Sequence, residues 1–137
     1  MRDCIFCVLD GVLADSAHRR SVTNPAMIGP VVKGDSVVEP VKELLACMYA
    51  ADYLIYIYTH RPREAEEDTV EWLHQNGVRY WRLLTIPEVR GVPQAKVKLD
   101  LIGSLDLTDR LRFVIDCDEA SIRLWRAFNI PCFRLEL

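Results

Sequence analysis

Residues 4–15 read CIFCVLDGVLAD, an apolar run that ends at Asp10 and Gly11. An apolar run of this length that stops at a turn-forming Asp-Gly pair is typical of a buried strand. In α/β proteins the carboxyl end of such a strand lies at the edge of the sheet where sites are built. The stretch therefore predicts a central strand that delivers Asp10 to a site. Two residues earlier the chain has Val8, whose side chain carries no reactive group.

Further apolar runs alternate with helical patterns along the rest of the chain. Strands are predicted over 4–9, 53–58, 80–84, 111–115 and 132–135. The runs that end at Tyr58 and Ile115 are almost continuously apolar, which is typical of parallel strands covered on both faces. Strands that alternate with amphipathic helices predict right-handed crossovers. We therefore expect an α/β fold, a doubly wound (Rossmann-like) central parallel sheet flanked by helices.

Composition and charge narrow the class of protein. The 137 residues are 50% hydrophobic and 27% charged, a balance that predicts one globular domain over residues 1–137. The formal charge of −3 argues against a mainly electrostatic nucleic-acid binder. We expect neither a signal peptide nor a membrane span, and so a soluble cytoplasmic protein. The five cysteines are an odd number, which favours reduced thiols over disulfides.

One stretch interrupts the alternation. Residues 14–36 contain prolines and glycines and show little periodicity, so they predict a loop or a small lid. The stretch follows the first strand directly, which places it at the carboxyl edge of the sheet. His18 and Arg19 in this lid could reach a substrate phosphate or base, and simple exposure to solvent is the alternative.

Polar side chains follow the predicted strands where each ends. The first strand delivers Asp10 and Gly11, the second Thr59, His60 and Arg61, and the fourth Asp116, Cys117 and Asp118, while Lys98 lies on the helix before the fourth strand. A hydroxyl and a lysine can hold phosphate oxygens, and carboxylates can hold Mg²⁺ and move protons. This edge therefore predicts a site for phosphate chemistry. For Asp118 the capping of the following helix is the favoured role, and metal binding an addition.

The order and spacing of these motifs resemble a known family. The segments LDGVLADSAHR, IYTHRP, VKLDL and FVIDCDEASIRLWRAFNIPCFRL are similar to those of haloacid dehalogenase (HAD) superfamily phosphatases. The chain resembles in particular the phage-type polynucleotide kinase 3′-phosphatase domain. The resemblance implies a HAD-like fold with a minimal lid, and it places the family's attacking aspartate on Val8 and its acid–base aspartate on Asp10. It implies phosphate binding by Gly11, Thr59, Arg61 and Lys98, and metal binding by Asp10, Asp116 and Asp118.

Two departures from this family pattern decide the functional expectation. Val8 cannot attack phosphorus, and Cys117 replaces a carboxylate, so Mg²⁺ is expected to bind weakly. The leading hypothesis is a degenerate phosphatase that binds a phosphate-bearing small molecule, a nucleic-acid end or a protein partner with little or no hydrolysis. An active Mg²⁺-dependent phosphohydrolase that uses Asp10 and water is one alternative. Two others are attack by Cys7, which would need a strand bulge, and a purely structural or inhibitory protein.

Overall fold

The computed structural model describes residues 2–137. Its strands are β1 Cys4–Val8, β2 Ala14–Asp15, β3 Ser36–Val37, β4 Leu54–Thr59, β5 Arg82–Thr85, β6 Leu111–Asp116 and β7 Cys132–Arg134. Its α-helices are α1 Pro25–Val32, α2 Glu39–Ala50, α3 Glu66–Gln75, α4 Gln94–Ser104 and α5 Glu119–Ala127. Short 3₁₀ turns cover Ala17–Arg19 and Arg63–Ala65. Every predicted strand is present, with ends within two residues of those expected.

Five parallel strands form the main sheet, in the order β5-β4-β1-β6-β7. β1 lies at the centre, with β4 on one side and β6 on the other, and all of its residues are buried. Such a strand has helices over both faces, which explains its unbroken apolar sequence. The doubly wound α/β fold expected from the alternation of strands and helices is confirmed.

The side chains of β1 alternate between the two faces of the sheet, and this alternation positions the site. Phe6 packs against Tyr58 and against Trp125 of α5, with ring centroids 5.6 and 5.8 Å apart. Tyr58 in turn donates a hydrogen bond to Gln94 of α4. The even-numbered residues of β1 therefore face α4 and α5. Val8 lies on this same face, in register with Tyr58.

Residues 14–36 are more regular than the sequence suggested. They begin and end in an antiparallel ribbon of β2 and β3, and they contain α1. Asn24 caps α1 by accepting a hydrogen bond from the backbone N–H of Ala26 at 3.1 Å, and Pro25 occupies the first helical position. The sequence analysis predicted a loop here because proline disfavours helical structure, and Pro30 lies inside this helix.

The ribbon and α1 lie over the carboxyl edge of the sheet. α1 packs against α3 and against the turn at Arg63–Ala65, which follows β4. Gly29 sits at this contact, where an added Cβ would come 2.6 Å from a carboxylate oxygen of Asp68. The lid segment is therefore packed onto the domain.

Within residues 2–137, no helix is both long enough and apolar enough to cross a bilayer.

Candidate functional site

The turn after β1 is held by its own backbone. The carbonyl of Leu9 accepts hydrogen bonds from the amides of Val12, Leu13 and Ala14, and the amide of Gly11 donates to Ala14 at 2.9 Å. Gly11 adopts φ +84°, and an added Cβ there would lie 2.8 Å from the sulfur of Cys117. Gly11 therefore makes the turn. Its amide and the two that follow it bond within the turn, and do not point free toward a phosphate as the sequence suggested.

Val8 ends β1 and is only 6% exposed. It shares its face of the sheet with Tyr58, and the ammonium of Lys98 lies 5.5 Å from the Tyr58 ring centre. This end of β1 therefore presents an isopropyl group, and no carboxylate, on the face of the sheet that carries Tyr58.

Cys7 lies on the opposite face of β1 and is fully buried. Burial raises the pKa of its thiol, and a regular strand without a bulge separates it from the turn. The thiol therefore stays protonated and points away from the site. This geometry does not support attack by Cys7.

Asp10 is surrounded by donors at the carboxyl edge. It accepts hydrogen bonds from the Thr59 hydroxyl at 2.7 Å, from Arg61 Nε and Nη2 at 2.9 and 2.8 Å, and from Arg19 Nη2 at 3.1 Å. Burial raises the pKa of Asp10, but the charge of Arg61, the bonds from Thr59 and Arg61 and the charge of Arg19 outweigh it and lower the pKa. The structure thus brings Asp10, Thr59 and Arg61 together, with the hydroxyl of Thr59 already donated to the carboxylate.

Asp35 is a site residue that the sequence analysis missed. Its carboxylate is fully buried and accepts from His18 Nε2 at 2.7 Å, Arg19 Nε at 2.8 Å and Arg61 Nη2 at 2.7 Å. Its backbone carbonyl accepts from the indole of Trp72 at 2.9 Å. The sequence did contain a signal for Asp35. The lid segment has several cationic side chains, and a buried arginine needs a carboxylate partner. His18 and Arg19 are therefore tied to Asp35.

Lys98 and Asp116 form a second buried pair. Lys98 Nζ lies 3.0 and 3.3 Å from the two Asp116 oxygens and 2.9 Å from the Ser121 hydroxyl. The Trp125 indole N–H also donates to Asp116, at 3.0 Å, so this core tryptophan has a polar role that its helical spacing did not reveal. Lys98 was expected to hold a phosphate, and in this structure it holds Asp116.

Cys117 and Asp118 follow β6 with different roles. The sulfur of Cys117 lies 3.7 Å from the backbone carbonyl oxygen of Asp10, and burial raises the pKa of this thiol. The Asp118 carboxylate accepts from the Ser121 amide at 2.9 Å and from its hydroxyl at 2.6 Å. Burial raises the pKa of Asp118, and these bonds lower it by more. Asp118 is the N-cap of α5, and the capping role favoured from the sequence is confirmed.

Loss of this cap has a measurable cost. In Asp118→Ala we expect the free energy of unfolding to fall by about 1 kcal/mol, because the first turn of α5 loses its side-chain acceptor. Asp118→Asn keeps an acceptor oxygen and should stay close to the wild type. Urea unfolding followed by tryptophan fluorescence, with and without Mg²⁺, measures both. Equal losses in the two variants would argue that the charge of Asp118, and not its hydrogen bonds, matters.

The three carboxylates expected to bind metal are engaged elsewhere. Asp10 faces Arg19 and Arg61, Asp116 faces Lys98, and Asp118 caps α5. Across residues 2–137, no group of three or more His, Cys, Asp or Glu side chains is placed to hold a metal ion. The expected ligand set of Asp10, Asp116 and Asp118 is thus not assembled in this structure.

A cleft of about 560 Å³ opens beside Asp10, between the lid segment and the loops after β4 and β5. Charged, polar and apolar side chains all line it. Its lining residues are Asp10, Ser16, Arg19, Val22, Thr23, Pro25, Ile28, His60, Arg61, Pro62, Pro87 and Glu88. His60 is exposed at this opening, whereas Arg61 is buried beneath it. The cleft is the place where a ligand could reach the strand ends.

The sequence and the site match one family. The family model described as the polynucleotide kinase PNKP phosphatase domain covers residues 2–136. The chain belongs to this family. The expected PNKP-type HAD fold is therefore confirmed. No match was found among curated protein sequences.

Solved structures agree on the fold of this PNKP-type domain. A chain of the Pnkp1/Rnl/Hen1 complex aligns with a TM-score of 0.83 at 21% identity, over 97% of this chain and 45% of that one. A predicted phosphatase from Clostridium acetobutylicum aligns with a TM-score of 0.68 at 12% identity, over 98% and 85% of the two chains. A HAD family enzyme from Bacteroides thetaiotaomicron, solved as a magnesium complex, gives 0.58 at 11% identity, over 98% and 93%. The protein thus spans less than half of the length of the chain it matches in the Pnkp1/Rnl/Hen1 complex.

Proposed function

We propose that this domain binds a phosphate-bearing ligand in the cleft beside Asp10 and does not hydrolyse it through a phosphoaspartate. The proposal rests on Val8, which the resemblance to the family aligns with the attacking aspartate and whose side chain has no oxygen to offer. In a well-studied serine protease, removal of the nucleophile lowers turnover by a factor on the order of 10⁶. A loss of this size would make the rate of hydrolysis of a bound ligand negligible, so that the site would act by binding alone.

The environment of Asp10 argues against the alternative enzyme, in which Asp10 activates water. A general base works best when its pKa lies near the working pH. The pKa of Asp10 is lowered, and its oxygens already accept bonds from Thr59, Arg61 and Arg19. The protonated thiols of Cys7 and Cys117 are equally poor nucleophiles. These features support a site that does not turn over.

The fixed guanidinium groups support binding. Arg19 and Arg61 are held by Asp10 and Asp35, so they lose little side-chain freedom when an anion arrives. Arginine suits phosphate because its planar group donates paired hydrogen bonds. An entering phosphate has to compete with the carboxylate of Asp10, so we expect modest affinity. A nucleic-acid 3′ end and a small phosphorylated molecule share this chemistry.

The residues present do not fit the Mg²⁺ ion that the HAD family implies. Mg²⁺ prefers oxygen ligands in octahedral geometry. Val8 offers no oxygen, Cys117 offers sulfur, and the carboxylate of Asp10 faces two arginines. We therefore expect ligand binding to be independent of Mg²⁺ and unaffected by a chelator.

A protein partner is the second candidate. It is favoured by the similarity to a chain of the Pnkp1/Rnl/Hen1 complex. A phosphatase-like domain that no longer hydrolyses could serve as an assembly surface in such a complex. This role needs neither the cleft nor its arginines, and the two candidates therefore predict different effects of cleft mutations.

The first experiment pairs a phosphate-release assay with a binding assay. With an aryl phosphate and a 3′-phosphorylated oligonucleotide, we expect wild-type release to equal that of Asp10→Asn, at background. Val8→Asp/Cys117→Asp, which restores both carboxylates, should release phosphate faster than the wild type because Arg61 and Lys98 are still in place. Fluorescence anisotropy should show tighter binding of the 3′-phosphorylated oligonucleotide than of its 3′-hydroxyl counterpart, and Arg19→Gln should weaken it.

Each contrary result has a distinct meaning. Wild-type release that disappears in Asp10→Asn would show an active enzyme and overturn the proposal. Equal affinity for the two oligonucleotides, together with no inhibition by inorganic phosphate, would remove the binding role and leave the protein partner. Arg63→Gln is a matched control, since the side chain of Arg63 is 70% exposed and forms its ion pair with Glu66, at 3.8 Å.

A further inference from the structure

β7 is an outer strand of the main sheet and pairs only with β6. On the inner side, Pro131 accepts a hydrogen bond from the Val114 amide at 2.9 Å, and the Leu135 amide donates to Asp116 at 3.1 Å. Backbone groups of successive strand residues point to alternate sides. The N–H and C=O groups of Arg134 and Glu136 therefore point outward. Such an edge is a template for another strand.

The side chains of residues 132–137, CFRLEL, alternate in character along this edge. Arg134 and Glu136 share one face, where their side chains form an ion pair at 2.9 Å, and Arg134 also pairs with Glu119 of α5 at 2.6 Å. Phe133 and Leu137 lie on the other face and are 58% and 68% exposed. Phe133 rests on Phe113 with ring centroids 4.9 Å apart, and no helix covers it. Exposed apolar side chains beside an open edge indicate an interaction surface.

We propose that a second copy of this chain pairs antiparallel along this edge, with the two-fold axis at Leu135. In this register Arg134 of one copy faces Glu136 of the other, and Phe133 faces Leu137. Opposite charges and apolar pairs placed directly across two strands stabilise their pairing. The pattern is self-complementary, as an interface between identical copies requires.

The backbone selects the same register. Antiparallel strands alternate hydrogen-bonded and non-hydrogen-bonded pairs, and the bonded residues must turn their N–H and C=O groups toward the partner. Arg134 and Glu136 do so, and in the proposed register they are partners. An axis at Arg134 would instead place two guanidinium groups opposite each other, which is unfavourable. An axis at Phe133 would leave Arg134 opposite Cys132 and unite no opposite charges.

A contact along one strand edge buries little surface, so we expect a weak dimer whose population rises with concentration. Sedimentation velocity from micromolar to millimolar protein measures this. Arg134→Glu and Glu136→Arg should each be monomeric, because like charges then face each other. An equimolar mixture of the two should associate again, and so should Arg134→Glu/Glu136→Arg, in which every cross-strand pair is opposite in charge.

Arg63→Glu is the control for the change in net charge. Arg63 follows β4, three strands away from β7 in the sheet, its side chain is 70% exposed, and this variant should dimerise like the wild type. Circular dichroism confirms that each variant is folded. Monomers at every wild-type concentration would overturn the proposal, and so would a double variant that stays monomeric. The test does not depend on the cleft, so its outcome leaves the proposed function untouched.

Discussion

Lys98→Met should lower the free energy of unfolding by about 3–5 kcal/mol. The fully buried Asp116 carboxylate would lose its cation and keep only neutral donors, the Trp125 indole and the amides of Cys117 and Asp118. An unpaired buried charge is costly, and a typical domain has only about 5–15 kcal/mol of stability in all. Urea unfolding monitored by tryptophan fluorescence measures the change.

Lys96→Met is the matched control on the same helix. Lys96 is 66% exposed and lies 3.6 Å from Asp100, and an exposed pair of this kind contributes about 0–1 kcal/mol. Lys98→Met/Asp116→Asn removes both charges and should recover most of the loss. If Lys98→Met and Lys96→Met were equally stable, the pair with Asp116 would contribute nothing to the fold.

Arg61→Met is expected to have the other large effect, again about 3–5 kcal/mol, because it leaves two carboxylates with too little positive charge. Arg61 is buried and directly follows β4. It donates to Asp10 after β1, to Asp35 in the lid segment and to Thr69 of α3, so one guanidinium links four parts of the chain. Arg61→Lys should recover only part of the loss, since an ammonium cannot span the same acceptors. Urea unfolding again gives the free energy.

Local effects can be separated from global ones by proteolysis. With Asp35 left with His18 and Arg19 as its side-chain partners, the segment 15–34 of Arg61→Met should be cut faster by trypsin than that of the wild type. Arg63→Met, two residues along the chain, is the control, since the side chain of Arg63 is 70% exposed. Arg61→Met with the stability and cleavage rate of Arg63→Met would contradict the central role assigned to Arg61.

The ends of the strands could be predicted because the relevant signals are local. The apolar run that stops at Asp10 and the one that ends at Asp116 place both residues at the same edge of the sheet, whatever the details of packing. The cap at Asp118 follows from neighbouring residues alone, as does the end of α3, where Gly77 adopts φ +65°. The valine at position 8 is likewise evident from residues 4–15 alone.

The partners of the buried cationic side chains could not be predicted from such local signals. Arg61 and Asp35 are 26 residues apart, and Lys98 and Asp116 are 18 apart, with no periodic relation between them. The sequence supports Lys98 equally well as a ligand for phosphate or as a partner for a carboxylate. The α1 helix was not predicted for a similar reason. It depends on a tertiary contact, because packing against α3 offsets the cost of its internal proline.

The sequence by itself therefore determined the α/β fold, the sheet edge at which the polar strand ends meet and the valine at position 8. These depend on side-chain periodicity and on residue chemistry, which are properties of short stretches of chain. Only the tertiary structure decided that Asp10 is bound by two arginines, that Asp35 completes this cluster and that Lys98 is paired. Such choices depend on which charges become buried within a few ångströms of one another, and burial exists only once the chain has folded.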